Sequence, residues 1–468
     1  MNERMGFATG GKLSPMLAAQ LAATGVTEAV VVLRQPAAAA HDPVTVAAAL
    51  SPAFVIDPAS PAQAVLRAVR PTAASVRCLA TAGAQLVDGG TTAAAARSAR
   101  ASVYPALGIL IGDVCAEGAA RLAADERVEY VASAVPFSLV RPIGAASARL
   151  SEDTTWGIRQ LGIPRLWAAG LDGSGVLVGH LDTGADSGHP ALAGAIARFL
   201  YIDHAGFPGR RRKARDTDEH GTHTAATIAG RAVRGRSVGV APGAQLVVAT
   251  VIEGGDAARR IVTGLNWAVL QGVRIVSLSL GFRGYVADLY PIMQRLRERG
   301  VLPVVAVGNE GPGTSRSPGN YDLVVSVGAS DARRRVAGFS SSQKFRRDAD
   351  PIVPDLVAPG VDVISAVPGG KWMMMSGSSM ATPHVAGLAA LLWQAKPEAS
   401  VAQIEAALFA SARRGRTMSA ERTGRGLVDG PRACAALTGQ KLPAARPRRR
   451  APLRPGRRGA RQRPRISR

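Results

Sequence analysis

From Trp156 to about Gln440 short apolar runs alternate with helical stretches. The runs GVLVGHLDTG (175–184), AQLVVATVI (244–252), VRIVSLSLG (273–281), GVLPVVAVGNEG (300–311) and YDLVVSVGAS (321–330) are built largely from Val, Ile and Leu. Residues 257–272 and 285–299 between them carry helical spacing. Near-continuous apolar strands separated by helices predict an α/β fold, a doubly wound and mainly parallel sheet flanked by helices on both faces. Polar and Gly-rich residues follow the strands directly, at the carboxyl edge where such sheets build their sites.

The N-terminal part has another rhythm. TEAVVVLRQPA, from Thr27, reads as a buried strand, and residues 116–140 read as helix, turn and strand. The pattern predicts a 1–24 lead, a small α+β unit over 25–140, a linker of small and charged residues over 141–154, and the main unit over 155–440.

Composition adjusts this picture in a few places. The chain has 468 residues, 47% of them hydrophobic but only 4% aromatic, so Ala, Val and Leu must do most of the packing. The formal net charge is +23, and the segment 441–468 holds one Lys, eleven Arg and no acid, hence 12 of those charges. That Pro- and Gly-interrupted tail is expected to be disordered and to offer at most a salt-sensitive contact with a polyanion. No apolar run is long enough to cross a bilayer. No secretory signal is recognised at the N-terminus, so the expected location is cytoplasmic by default, with export by another route or an upstream start as alternatives. Cys78, Cys115 and Cys434 show no metal-ligand spacing and read as isolated thiols, with a Cys78–Cys115 bridge as the alternative.

Three stretches place polar groups where a fold would otherwise want apolar or turn residues. In 175–192 an apolar run ends in Asp182, followed by Thr-Gly; taken alone, this is equally a turn or a cap. DEHGTHTAATIAG (218–230) puts His220 and His223 at the head of a small-residue helix. Metal ligation is the rival there, but binding helices space histidines i, i+4 with a Glu between, and HGTH has neither. SGSSMATPHVAG (376–387) sets Ser378 and Ser379 before a helix, as ordinary caps or as a nucleophile aided by the helix dipole. Asn309, after a strand and a Gly, could donate to an oxyanion.

The D-T-G, H-G-T-H and G-x-S-M-A-x-P-H-V-A-G blocks, in this order, resemble the subtilisin-like serine proteases (subtilases) over roughly 155–440. The 25–140 unit resembles that family's inhibitory prosegment more weakly. The resemblance implies an endopeptidase with Asp182 as orienting acid, His220 as general base, Ser379 as nucleophile, and Asn309 with the Ser379 N–H as oxyanion donors. His223 and His384 fall on motif positions that are structural. By resemblance Ser279, Leu280, Gly281, Ala306, Val307 and Gly308 line the primary specificity pocket, which reads as uncharged and implies a broad or apolar preference. Gly254 and Gly255 would lie on an exposed edge that pairs with an extended substrate. Protein or peptide substrates, the chain's own prosegment as intramolecular inhibitor, self-cleavage in the linker and a monomeric state are expected. No cofactor is needed for the chemistry and no metal site is expected. Structural calcium is possible, but the basic loop RAVRGRSVGVAPGAQ (231–245) stands where many relatives bind it, and three arginines oppose a cation. Ser378 stands where Thr is usual, and His180 where an apolar residue is usual. The competing reading is a catalytically silent protein of this fold, attached through its tail to nucleic acid or another polyanion.

Overall fold

The computed structural model describes residues 11–34, 43–55, 84–86, 101–210, 213–252, 254–347 and 350–442. Cys78, part of the Ala-rich stretch before residue 101, and the Arg-rich tail beyond residue 442 lie outside the described residues.

In the N-terminal unit, helix α1 (Pro15–Thr24) starts at the Ser14 cap and leads into strand β1 (Val26–Leu33). Helix α2 (Pro43–Leu50) and strands β2 (Ala84–Leu86), β3 (Ala101–Tyr104) and β4 (Ile109–Cys115) follow. Helix α3 (Ala116–Ala124) and strand β5 (Val128–Ser133) complete a five-stranded sheet in the order β2-β3-β4-β1-β5. The run AVVVL in β1 is apolar without alternation because both faces of this sheet are covered. Val31, Leu110 and Val131 pack with Leu17, Val46 and Leu122 of the three helices. Val30, Val32, Ile109 and Ile111 share a core with the main unit.

Next come β6 (Ser138–Leu139) and β7 (Gly144–Ser147). All four residues of β7 are exposed, so no apolar period betrays a strand, and main-chain bonds to residues 373–376 make it one. The linker is therefore partly β-structure.

The main unit contributes β8 (Leu177–Asp182), β9 (Ile196–Tyr201), helix α4 (His220–Ala229), β10 (Gln245–Thr250), helix α5 (Ala257–Leu270), β11 (Ile275–Leu278), β12 (Leu280–Arg283), helix α6 (Tyr290–Glu298), β13 (Leu302–Ala306), β14 (Arg316–Ser317) and β15 (Val325–Ser330). A short ribbon joins β16 (Gln343–Lys344) to β17 (Ile352–Val353), and β18 (Leu356–Pro359), β19 (Val363–Val367) and β20 (Lys371–Ser376) lead into helix α7 (Ser378–Ala395). Seven strands form the expected parallel sheet in the order β18-β15-β13-β11-β8-β10-β9. Helices α4 and α7 cover one face. Helices α5 and α6 cover the other, and the N-terminal sheet lies on them. Each fully buried Val or Leu in these layers contributes about 1.5–3 kcal/mol.

Ion pairs join the two units. Glu28 of β1 pairs with Arg259 of α5, whose guanidinium also reaches Ser102 Oγ at 2.7 Å. Glu129 pairs with Arg295 of α6. Asp288, just before α6, accepts from Ser14 Oγ at 2.6 Å and the Ser133 N–H at 2.7 Å.

Candidate active site

The strand order puts the carboxyl ends of β10, β8, β11 and β13 side by side, and each leads into a stretch singled out above. Asp182 is the last residue of β8 and is 2% exposed. Its Oδ1 accepts from His220 Nδ1 at 2.7 Å and from the Thr183 N–H at 2.7 Å. Its Oδ2 accepts from the Thr224 hydroxyl at 3.2 Å. Burial alone would raise this carboxyl's pKa, but the charge and hydrogen bond of His220, with the Thr183 N–H, bring it below the ordinary value.

His220 opens α4. Burial disfavours its imidazolium, but the Asp182 carboxylate outweighs that by charge and hydrogen bond, with help from Asp216 and Asp218, so its pKa is raised above 6.5. The helix comes close enough because residue 221 is glycine: a Cβ there would stand 2.1 Å from the Gly184 carbonyl. Asp216, which sequence reading missed, ties the two motifs together. It accepts from Thr183 Oγ1 at 2.7 Å and from the Thr222 N–H and hydroxyl at 2.5 and 2.6 Å. An acid shortly before a helix is a signal that could have found it.

His180 is buried, and its Nε2 lies 2.8 Å from Thr224 Oγ1 and 4.0 Å from Asp182 Oδ2. Burial, with the nearby His220 charge, pushes its pKa down to about 4 in spite of the Asp182 charge, so the ring is neutral. With Nε2 protonated, it donates to Thr224 and leaves the Thr224 proton for Asp182. His223 and His384 are packing residues: His223 Nε2 meets the Val363 carbonyl at 3.0 Å and His384 Nδ1 the Met380 carbonyl at 2.8 Å. Burial lowers their pKa values to about 3 and about 4.

Ser379 lies in the first turn of α7, which packs on α4, and its carbonyl accepts from Ser279 Oγ at 3.2 Å. Its hydroxyl donates to the Val140 carbonyl at 2.5 Å. His220 Nε2 has no hydrogen-bond partner among the described residues. Asn309 follows β13, and its Nδ2 donates to the next carbonyl, that of Arg141, at 2.9 Å. The amide is oriented by Ser378, whose N–H and hydroxyl both donate to Asn309 Oδ1.

A segment of the chain thus occupies the cleft. β6 pairs antiparallel with β12, Ser138 opposite Gly281 and Leu139 opposite Leu280, and the Val140 N–H donates to the Ser279 carbonyl at 3.0 Å. Arg141 continues past Asp218 at 3.5 Å, and the Ile143 N–H reaches the Ser376 carbonyl at 2.8 Å. Ser279, Leu280 and Gly281 therefore carry the edge that receives an extended strand. Among the described residues no main-chain bond joins β6 to Gly254 or Gly255. Both have left-handed φ angles, +65° and +67°, which an extended edge excludes, and a Cβ on Gly255 would meet the His204 carbonyl at 2.3 Å. Ala306, Val307 and Gly308 are buried beside Asn309, and the six residues read as walls are themselves uncharged. Arg316 and Glu310, outside the segments read as walls, bring an ion pair against Gly308 and Gly281. Among the described residues no group of three or more His, Cys, Asp and Glu could hold a metal ion, and no helix is long and apolar enough to span a membrane. Cys115 and Cys434 are free thiols.

A buried Asp–His pair, a helix-borne serine and an amide donor around a strand-shaped cleft are the equipment of serine hydrolases. Residues 173–426 match the Subtilase family, Peptidase_S8, and the chain belongs to it. It is 37% identical over 245 residues to the Major intracellular serine protease of Bacillus subtilis (strain 168), covering 50% of this chain and 74% of that protein. It is 38% identical over 256 residues to Subtilisin Savinase of Lederbergia lenta (54% and 89% covered) and 33% identical over 341 residues to Subtilisin-like protease PopC of Myxococcus xanthus (64% and 70% covered). The chain is accordingly a subtilisin-like serine endopeptidase, and the silent polyanion-binding alternative is not favoured.

Proposed function

We propose that Asp182, His220 and Ser379 are the acid, base and nucleophile of this endopeptidase, and that residues 25–140 are its intramolecular inhibitor, cleaved after Val140. One observation carries the reading: the Val140 carbonyl meets Ser379 while its N–H pairs with Ser279. That is how a substrate residue preceding a scissile bond would lie.

The chemistry follows from these positions. His220 Nε2 takes the Ser379 proton as Oγ attacks the carbonyl carbon, and Asp182 stabilises the imidazolium. Asn309 Nδ2 and the Ser379 N–H receive the oxyanion. The C–N bond breaks, His220 protonates the departing amine, and water releases the acyl group. The Val140–Arg141 bond rests in an unreactive register, because Asn309 donates one carbonyl too far along and the Ser379 proton points at oxygen rather than at His220. Two donors must shift to make it reactive: Asn309 Nδ2 to the Val140 carbonyl and the Ser379 hydroxyl to His220 Nε2.

Calcium at the 231–245 loop is opposed by Arg231, which occupies the space with its own cation. Its guanidinium donates to the carbonyls of Ala229 at 3.0 Å, Ala244 at 2.9 Å and Gly194 at 3.1 Å, and also to that of Pro242.

The test is incubation of wild type and Ser379→Ala with casein, followed by mass spectrometry of the enzyme. Wild type should degrade casein and yield a chain beginning at Arg141, while Ser379→Ala should do neither. Full hydrolysis by Ser379→Ala would refute the assignment.

A further inference from the structure

The strand in the cleft shows which substrate side chains meet protein. Side chains alternate along an extended strand, so Leu139 turns into the core shared with the N-terminal sheet while Ser138 and Val140 face the other way. On that side Ser138 meets Arg316. Its Nη1 donates to Ser138 Oγ at 2.9 Å and lies 3.5 Å from the Gly281 carbonyl.

Arg316 is built into this place. It is 5% exposed, belongs to β14, and pairs through the backbone with Arg283 on the strand that holds the substrate. Its side chain fills the gap between two wall glycines: a Cβ on Gly308 would lie 3.3 Å from its Cγ, and a Cβ on Gly281 would lie 3.2 Å from its Cβ. Nε, at 2.9 Å, and Nη2 both bond Oε1 of Glu310, which fixes the guanidinium and leaves Nη1 aimed at the cleft. Glu310 is held in turn by the Asn309 N–H at 3.0 Å and by Ser341 Oγ at 3.2 Å. Arg283 Nε also approaches Glu310, at 3.5 Å, so two guanidinium groups share one carboxylate and the local balance is positive.

We propose that Arg316 is a specificity-determining residue, selecting substrates with a hydrogen-bond-accepting side chain (Ser, Thr, Asp or Glu) two positions before the residue whose carbonyl is attacked. The proposal rests on the reading of Val140 as that residue. Arg has only donors, so a lysine or arginine at this substrate position meets like charge in place of the acceptor that Nη1 bonds. An alanine leaves Nη1 short of a partner. A hydroxyl accepts from Nη1 and can donate to Gly281, as Ser138 does at 3.3 Å, and a carboxylate adds charge. A hydrogen bond to a charged group is worth about 1.5–3 kcal/mol, roughly a tenfold or greater preference.

The experiment measures kcat/KM of the self-processed enzyme on four peptides that differ only at this position, carrying Asp, Ser, Ala or Lys. Wild type should favour Asp and Ser over Lys by about tenfold or more. In Arg316→Ala the ratio should fall below about threefold or invert, because Glu310 then faces the cleft without its main partner. An unchanged ratio in Arg316→Ala, or no discrimination by wild type, overturns the proposal. Should Arg316→Ala fail to fold, the exposed strand residue serves instead: Ser138→Lys should slow self-processing about tenfold relative to Ser138→Asp, and equal rates would overturn it. Ser379→Ala separates the two readings. If wild type hydrolyses none of the peptides, or Ser379→Ala hydrolyses them equally well, the catalytic assignment fails. If hydrolysis depends on Ser379 yet ignores the varied position, only the role of Arg316 fails.

Discussion

Ser378 donates twice to one atom of Asn309: its N–H meets Oδ1 at 2.8 Å and its hydroxyl meets the same oxygen at 2.9 Å. An amide side chain has two faces, and this pair of bonds decides that Nδ2, not Oδ1, looks into the cleft. Asn309→Ala should lower kcat about 10²–10³-fold, the usual cost of one oxyanion donor, with KM little changed. Ser378→Ala keeps the backbone bond and should cost less, on the order of tenfold. Ser378→Thr retains the hydroxyl and should restore most of the rate. Steady-state kinetics on one peptide decides this, and a Ser378→Ala enzyme as fast as wild type would remove the positioning role.

The pH profile follows from the raised His220 pKa. The base must be neutral to accept a proton, so kcat/KM should rise with pH through a midpoint above the ordinary 6.5. Asp182→Asn removes the charge that holds this pKa up. Its acid limb should move down, while kcat falls by roughly 10⁴-fold. His180, pushed down to about 4, should add no second inflection between pH 5 and 8. Two resolved ionisations in that window would contradict the neutral His180.

The hold of the N-terminal unit depends on a pair buried at its interface: the Arg259 side chain is 6% exposed and that of Glu28 is 16% exposed. Removing Glu28 leaves Arg259 only the longer ion pair with Asp256, at 3.3 Å, and costs less than the about 3–5 kcal/mol of a fully stranded charge. Glu28→Ala should therefore shorten the lag before casein hydrolysis begins, in a progress curve started from the intact chain. A lag as long as that of wild type would place the grip elsewhere.

Arg231 makes a chelation prediction. Excess chelator should leave the Tm within about 1 °C. Arg231→Ala, which strips several carbonyls of a charged donor, should cost about 2 kcal/mol and lower the Tm by several degrees. A large chelator effect would point to a metal in place of, or beside, this guanidinium.

How much of this could be read in the sequence depended on distance along the chain. Asp182, His220, Ser379 and Asn309 sit in short blocks whose spacing survives folding, and a parallel sheet delivers its strand ends to one edge. The partners that tune them are not local. Ser378 meets Asn309 across 69 residues, and Arg316 meets Ser138 across 178. Nothing in the arginine's own neighbourhood marks it as part of a cleft. Gly254 and Gly255 read as an edge because glycine suits an exposed edge and a left-handed turn equally well, and only φ separates the two. Strand β7 escaped notice because it presents no apolar face.

On the proposed role of the N-terminal unit as inhibitor, the occupant of the cleft is tethered to the body it blocks, and that has a kinetic consequence. While the Val140–Arg141 bond is intact, strand β6 re-enters the cleft as a unimolecular event, at an effective concentration set by the short tether, in the millimolar range for such linkers. No peptide at ordinary concentration competes with that. After one cut, the same strand and sheet must find the cleft by diffusion, and dilution favours their loss. The bond acts as a threshold: before it breaks, latency is independent of how much enzyme is present; afterwards, it falls as the enzyme is spread thinner.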